Sequence, residues 1–159
     1  MEDIKDMTAS QLIRRHWDSQ ESLPRHGGAD PQAIAAFEAR HAVVLPTDFR
    51  SYLSELNGLP EAKTPEGWDN VDAGGFEFLP LALLRRTEQS ERFFVFARWA
   101  LGDVSYAICL RPSKHHGRVV VVGDSLHVIA EDFTEFAIMY VADSMSLYGG
   151  GPVVSTMDP

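Results

Sequence analysis

The side chains of this sequence that could bind a metal ion are one cysteine and a group of histidines: Cys109, His115, His116 and His127. Adjacent histidines on a loop do not converge on one ion as readily as histidines four residues apart on a helix, and neither CxxC nor HExxH spacing occurs. We therefore interpret His115 and His116 as residues of a solvated loop and His127 as a strand residue. Cys109 lies in an apolar run, where a core thiol is expected rather than a nucleophile. The sequence predicts no metal site and no cofactor.

Motifs for covalent or phosphate chemistry do not occur in the sequence either. It contains no GxSxG nucleophile turn, no Walker-type loop and no GxGxxG stretch. The acidic pair Glu131-Asp132 stands where a helix is predicted to begin, and there carboxylates complement the helix dipole without a catalytic role. We predict that the protein is not an enzyme. The weaker alternative is a small-molecule enzyme that uses carboxylates for acid–base catalysis.

The net charge of −9, from 23 acidic and 14 basic residues, argues against binding to nucleic acid or to an anionic membrane surface. The acids are unevenly distributed: residues 119–159 contain no lysine or arginine, and residues 61–84 contain five acids and one lysine. One interpretation of these acids is solubility alone. The other is a surface that steers a cationic protein partner toward the chain.

The single cysteine excludes an intramolecular disulfide and fits a reducing compartment. The acidic stretch MEDIKDMTAS lacks the apolar segment of a signal peptide, and no run of about 18 apolar residues occurs along the chain. We therefore expect a cytoplasmic protein without a membrane span.

The elements that would position these residues begin with helices. Thr8 and Gln11 have the spacing of a capping box, which predicts a helix running to about Gln20. Asp30 followed by Pro31 predicts the start of a second helix, because aspartate caps free N–H groups and proline is tolerated at the first helical position.

The third predicted helix has both a start signal and a stop signal. In the stretch LPTDFRSYLSELNG, Leu45-Pro46 starts the helix and Asn57-Gly58 ends it, since glycine adopts the left-handed conformation at low cost. Asp48 in the first turn complements the helix dipole. Spacing of i, i+3, i+4, i+7 produces one apolar stripe, formed by Phe49, Tyr52, Leu53 and Leu56.

After this helix the pattern changes to strands and turns. Residues 59–75 have the composition of a loop, and ordered loops of this length are often functional. After the loop we predict a strand in FEFLP and a helical turn at 81–84. Two hairpins follow: strands at 92–99 and 104–110 joined by Leu101-Gly102-Asp103, and strands RVVVV and LHVIA around Gly123-Asp124-Ser125. The last predicted segments are a helix from Glu131 to about Leu147 and a disordered tail at 149–159.

Helices first, antiparallel strands next and a closing helix last is an order typical of an α+β domain. In the strand at 92–99, period-two alternation places Phe94 and Phe96 on one face and Phe93 and Val95 on the other. Burial of both faces would make this a central strand. We predict one domain over residues 1–148.

Taken in order, the motifs resemble those of the SUKH superfamily, also called Smi/Knr-like. The matching segments are IAAFE, LPTDFRSYLSELNG, FEFLPLALL, FFVFARWALGDVSYAICL and GRVVVVGDSLHVIAEDFTEFAIMY. Each segment alone is a weak signal, whereas their order and spacing together are specific. The resemblance runs from Ile34 to Tyr140.

The resemblance implies N-terminal helices, a curved antiparallel sheet of about four to six strands, and a C-terminal helix packed on the sheet. It also implies a non-catalytic role. Most bacterial members are immunity proteins that bind a cognate toxin in the cytoplasm, often a nuclease or deaminase, and fungal relatives are interaction hubs. The motif residues are implied to be architectural: Leu45, Pro46, Asp48, Phe49, Leu53, Asn57 and Gly58. One departure is Leu59-Pro60 after Gly58, where many members have a second glycine.

Two functions follow from these observations: an immunity protein whose acidic surface speeds capture of a basic toxin, and a regulatory scaffold for endogenous partners. Charge and expected exposure, not the resemblance, select the candidate partner-binding residues: Glu66, Trp68, Asp69, Asp72, Asp103 and Asp124. Trp68 is either a lid over the core or an exposed anchor for the partner. The expected state is a monomer or a homodimer, since an open strand edge could pair with a second copy.

Overall fold

The computed structural model describes residues 6–20, 23, 27–60, 71–99, 104–144, 147 and 152–154. Within these residues the chain forms the expected α+β fold, in which helices pack on an antiparallel sheet. The helices are α1 (Ala9–Asp18), α2 (Pro31–His41), α3 (Thr47–Glu55) and α4 (Phe133–Val141). The strands are β1 (Phe76–Phe78), β2 (Arg85–Arg86), β3 (Phe93–Trp99), β4 (Val104–Cys109), β5 (Val119–Val122), β6 (Leu126–Ala130) and β7 (Val153–Val154). None of the described helices is long and apolar enough to cross a bilayer.

The sheet runs in the order β1-β3-β4-β5-β6-β7, and β2 pairs with β3 beside β1. All pairings are antiparallel. The strand count in the described part of the chain is seven, against the four to six expected, because β2 and β7 are pairs of residues only. The predicted pairings of β3 with β4 and of β5 with β6 are confirmed. The turn Leu101-Gly102-Asp103 lies outside the described residues.

β3 is an interior strand of the sheet, paired along both edges and buried on both faces. Its residues from Phe93 to Ala97 are buried, with β1 and β2 along one edge and β4 along the other. Phe94 packs edge-on against Phe37 of α2, with ring centroids 5.6 Å apart, and Phe96 packs against Phe49 of α3 at 5.7 Å. A bulge after Val95 shifts the register against β4 and bends the strand. Two aromatic residues of one strand therefore support two helices.

The first two helices begin where predicted, because side chains satisfy their first N–H groups. The Thr8 hydroxyl accepts from the Gln11 N–H at 3.1 Å, and the Gln11 amide oxygen accepts from the Thr8 N–H at 2.9 Å, which completes the capping box of α1. Asp30 caps α2 and accepts from the Gln32 N–H at 2.8 Å. These contacts are local in sequence, which is why the sequence reveals them.

The last helix is shorter than predicted. α4 begins after its cap Asp132 and ends well before Leu147. Asp143 takes a left-handed φ of 51°, and the next N–H, that of Ser144, donates to the Met139 carbonyl at 3.0 Å. Such a bond usually ends a helix when glycine occupies the left-handed position. Here aspartate occupies it, so the sequence did not indicate where the helix ends.

Part of the predicted disordered tail is ordered as β7. Its two valines pair with β6, and the Val128 N–H donates to the Pro152 carbonyl at 2.8 Å. Val154 is 5% exposed, so burial of its side chain helps to hold the strand on the sheet. The other residues of 149–159 lie outside the described part of the chain.

The end of α3 depends on two consecutive left-handed residues, Asn57 at φ 50° and Gly58 at φ 69°. The Asn57 side-chain oxygen accepts from the Leu81 N–H at 2.7 Å, which ties the helix end to the segment after β1. A Cβ atom on Gly58 would lie 2.8 Å from backbone atoms of Leu79 and Phe78. Glycine is therefore required by its conformation and by the closeness of a neighbouring backbone.

We predict that Gly58→Ala lowers the free energy of unfolding by about 2 kcal/mol, from the left-handed strain and the backbone contact together. The control is Gly27→Ala, because a Cβ at Gly27 would meet nothing within 4 Å. Urea unfolding followed by circular dichroism measures both variants. Equal stability of the two variants would refute the packing argument.

Candidate functional site

The structure describes two of the six predicted partner-binding residues and places them in opposite environments. Asp124 is exposed in the turn between β5 and β6. Asp72 is only 5% exposed, so the exposure on which its selection as a partner-binding residue depended is wrong. The other four lie outside the described residues: Glu66, Trp68, Asp69 and Asp103.

The Asp72 carboxylate is the centre of a buried hydrogen-bond network. One carboxylate oxygen accepts from the N–H groups of Gly74 at 2.8 Å and Phe76 at 2.9 Å. The other oxygen accepts from the Tyr140 hydroxyl, and that hydroxyl accepts from the Trp17 indole N–H at 3.0 Å. Three donors thus satisfy a carboxylate that water does not reach, and the network joins α1, α4 and the segment before β1.

The same segment is held from two further sides. The Ala73 N–H donates to the Gln20 side-chain oxygen at 2.8 Å, just beyond α1. The Trp99 indole N–H, at the end of β3, donates to the Gly74 carbonyl at 2.9 Å. The predicted functional loop at 59–75 therefore ends in a segment fixed by side chains, while its central residues, 61–70, lie outside the described part of the chain.

Burial shifts the ionisation of two tyrosines. Burial raises the pKa of Tyr140 well above its ordinary value, and the charge of the adjacent Asp72 carboxylate raises it further. Burial likewise raises the pKa of Tyr52, on the inner face of α3. Both hydroxyls stay protonated at neutral pH, and Tyr140 can therefore act as a donor to Asp72.

Asp48 joins α3 to α4, a role that the sequence did not reveal. Its carboxylate accepts from both the N–H and the hydroxyl of Thr134, at 2.9 and 3.0 Å, in the first turn of α4. The other carboxylate oxygen accepts from the Phe49 N–H at 2.8 Å. An acid expected to complement the dipole of its own helix thus also caps a second helix 86 residues away in sequence.

The other motif residues in and before α3 lie in the core or at the start of the helix. Leu45, Phe49 and Leu53 are buried in the core. Pro46 is the cap residue immediately before the helix rather than its first residue, and Thr47 is the first. Proline has no backbone N–H, and at this position the helix would provide no partner for one, so the proline costs no hydrogen bond.

The described histidines and Cys109 lie in different surroundings. Among the described residues, no three histidine, cysteine, aspartate or glutamate side chains are grouped as ligands. Cys109 is buried, as predicted, and burial raises the pKa of its thiol. The prediction of a solvated His115 is wrong: it is 5% exposed and lies 2.9 Å from the Arg118 guanidinium. His116 lies 2.7 Å from the Val44 carbonyl.

A cleft of about 560 Å³ opens between the start of α1, the exposed face of α3 and the start of α4. Its carboxylates come from Asp6, Asp48 and Glu55. Its other polar groups are hydroxyls, contributed by Thr8, Ser10, Thr47, Ser51 and Thr134. The sequence did contain one signal for this surface, because Thr47, Ser51 and Glu55 follow each other at four-residue spacing along one helix face.

Comparison with known protein families finds a match that covers most of the chain. Residues 28–139, more than two thirds of the chain, match the SMI1 / KNR4 family (SUKH-1). The match includes α2, α3 and most of α4, and it agrees with the resemblance in the sequence motifs. No curated protein matches the chain.

We predict that Asp72→Asn lowers the free energy of unfolding by about 2 kcal/mol, because an amide cannot accept all the hydrogen bonds that the carboxylate accepts. Asp124→Asn removes the same charge from an exposed turn and is expected to change stability by less than about 0.5 kcal/mol. Urea unfolding of both variants measures the difference. Similar losses would show that the Asp72 network does not stabilise the fold.

The raised pKa of Tyr140 predicts a loss of stability in alkaline solution. A tyrosine with a higher pKa in the folded state contributes fully below pH about 10 and contributes less as the pH rises past that value. We expect the unfolding free energy to fall above that pH, and to fall less steeply in Tyr140→Phe. Urea unfolding at a series of pH values tests this, and parallel curves for the two proteins would contradict it.

Proposed function

Because the chain belongs to the SMI1 / KNR4 family (SUKH-1), we propose that it is a non-catalytic binding protein of the immunity type. It binds a cognate protein toxin in the cytoplasm and neutralises it by covering the surface that the toxin needs. Family membership is the observation that carries this proposal. The sequence motifs resemble the same family, and that resemblance implies that most of its bacterial members are immunity proteins.

The charge of the chain supports a basic toxin as the partner, such as one that acts on nucleic acid. The net charge is −9, and the acids of the C-terminal region that the structure describes are exposed: Asp124, Glu131, Asp132, Glu135 and Asp143. Exposed charge of one sign accelerates association with a partner of the opposite sign. A basic surface that handles nucleic acid has the sign that these acids would attract.

The test uses the intact protein as bait in extracts of its native source, with the neighbouring reading frames examined in parallel. A stoichiometric partner with a toxin domain, encoded beside this chain, supports the proposal. Protection of cells expressing that toxin by co-expression of this chain would then establish neutralisation. Capture of housekeeping proteins alone would favour a regulatory scaffold, and the immunity proposal would fail.

We predict that the association rate with the captured partner falls steeply as salt rises from about 0.05 to 0.5 M, because the distance over which exposed charges interact shortens from about 14 Å to about 4 Å in this range. Stopped-flow fluorescence or surface plasmon resonance measures the rate. The dissociation rate is the internal control and should change much less. An association rate that is independent of salt would exclude electrostatic steering.

A further inference from the structure

The cleft between α1, α3 and α4 combines apolar surface, to which Met7 and Ala9 belong, with acidic and hydroxyl groups. It is lined by the carboxylates of Asp6, Asp48 and Glu55 and by five hydroxyls, and none of its described lining residues is basic. The Arg15 guanidinium contacts the sulfur of Met7, one of the lining residues, at 3.8 Å. Ionised carboxylates only accept hydrogen bonds, so the cleft is suited to a positively charged group that carries several donors.

Ser10 is an independent indication of a ligand. It is the second residue of α1, is 2% exposed and lines the cleft. Its hydroxyl is buried and has no hydrogen-bond partner in the described part of the chain. Buried hydroxyls are normally paired, and a donor that enters the cleft would supply the missing partner.

A second cleft of similar size lacks this character. It measures about 540 Å³ and is lined by residues of the β2–β3 and β4–β5 connections. Arg92 and Arg111 lie there together with Glu88 and Glu91, and Arg111 is 3.8 Å from the Glu91 carboxylate. Basic and acidic groups balance in this second cleft, whereas acids dominate in the first.

From this contrast we infer that the first cleft receives an arginine side chain of the partner protein. A guanidinium presents five N–H donors in a planar fork, which can reach carboxylates and hydroxyls at once, while an ammonium group offers three donors from one point. Asp48 and Thr134 hold the cleft wall by their mutual hydrogen bonds, and exposed Asp6 and Glu55 provide the charge. The inference rests on the proposed function, because it specifies the chemistry of the toxin surface at this site.

The probe for the experiment is N-acetyl-arginine amide, titrated into the ¹⁵N-labelled protein and followed by NMR. The expected result is a saturable set of shifts at residues 8–10, 47–51 and 134. The control probe is N-acetyl-citrulline amide, which has nearly the same shape without the charge and should produce much smaller shifts. Equal responses to the two probes, or no saturable shift at these residues, would overturn the inference.

A pair of double variants separates local contact from the overall charge. The double variant Asp6→Asn/Glu55→Gln is expected to lower the affinity for N-acetyl-arginine amide about fivefold or more. Glu88→Gln with Glu91→Gln changes the net charge equally in the second cleft and should leave the affinity within about twofold. Equal weakening by both pairs would mean that the probe senses only the net charge, and the inference would fail.

The two proposals can fail separately. If a cognate toxin is captured and the Asp6→Asn/Glu55→Gln protein binds it as well as the unaltered chain, the arginine site is refuted while the immunity function stands. If no toxin is captured, the proposed function fails, and the NMR titration still decides whether the cleft binds a guanidinium.

Discussion

A buried carboxylate requires hydrogen-bond donors for its oxygens, and the donors to Asp72 come from elements that must meet at one place in the fold. Its oxygens take hydrogen bonds from the backbone of Gly74 and Phe76 and from the Tyr140 hydroxyl, which in turn accepts from Trp17. Removing the Tyr140 hydroxyl would leave one buried carboxylate oxygen and the Trp17 indole N–H without these partners, so the positions of α1, α4 and the segment before β1 depend on one another. The loop that precedes β1 thereby has a fixed end on the body of the protein.

α3 has a comparable role at the other side of the helical layer. Its apolar stripe packs on the sheet through Phe49, and its polar ends reach other elements. At the start of the helix Asp48 caps α4 through Thr134, and just past its end Asn57 binds the backbone at Leu81. One short helix thus positions a second helix and the segment after β1, which explains why its motif includes polar residues and glycine as well as core residues.

Among the described acids these contacts distinguish two groups with different roles, while Glu38 and Glu77 form ion pairs with Arg50 and Arg98. Asp72, which is buried, and Asp48, which is partly buried, use their carboxylates for hydrogen bonds within the protein, so we expect their substitution to lower stability. Asp124 in the hairpin turn, Glu135 in the first turn of α4, and Asp6 and Glu55 in the cleft are exposed to solvent. Substitution of the second group would therefore change the surface charge without rebuilding the core.

The sequence by itself determined the features that depend on near neighbours along the chain. The capping box of α1, the Asp30 cap, the end of α3 at Asn57-Gly58 and the two hairpin pairings follow from residue types at short spacing, and the ordered motifs were sufficient for the family. Only the tertiary structure decided the remainder. The Asp72–Tyr140, Asp48–Thr134 and Trp17–Tyr140 bonds join residues 68, 86 and 123 positions apart. A pattern of spacing carries no information about such distant pairs, which form because packing brings donor and acceptor together away from water. For the same reason the burial of Asp72 and His115, the pairing of β7 and the acidic cleft were missed.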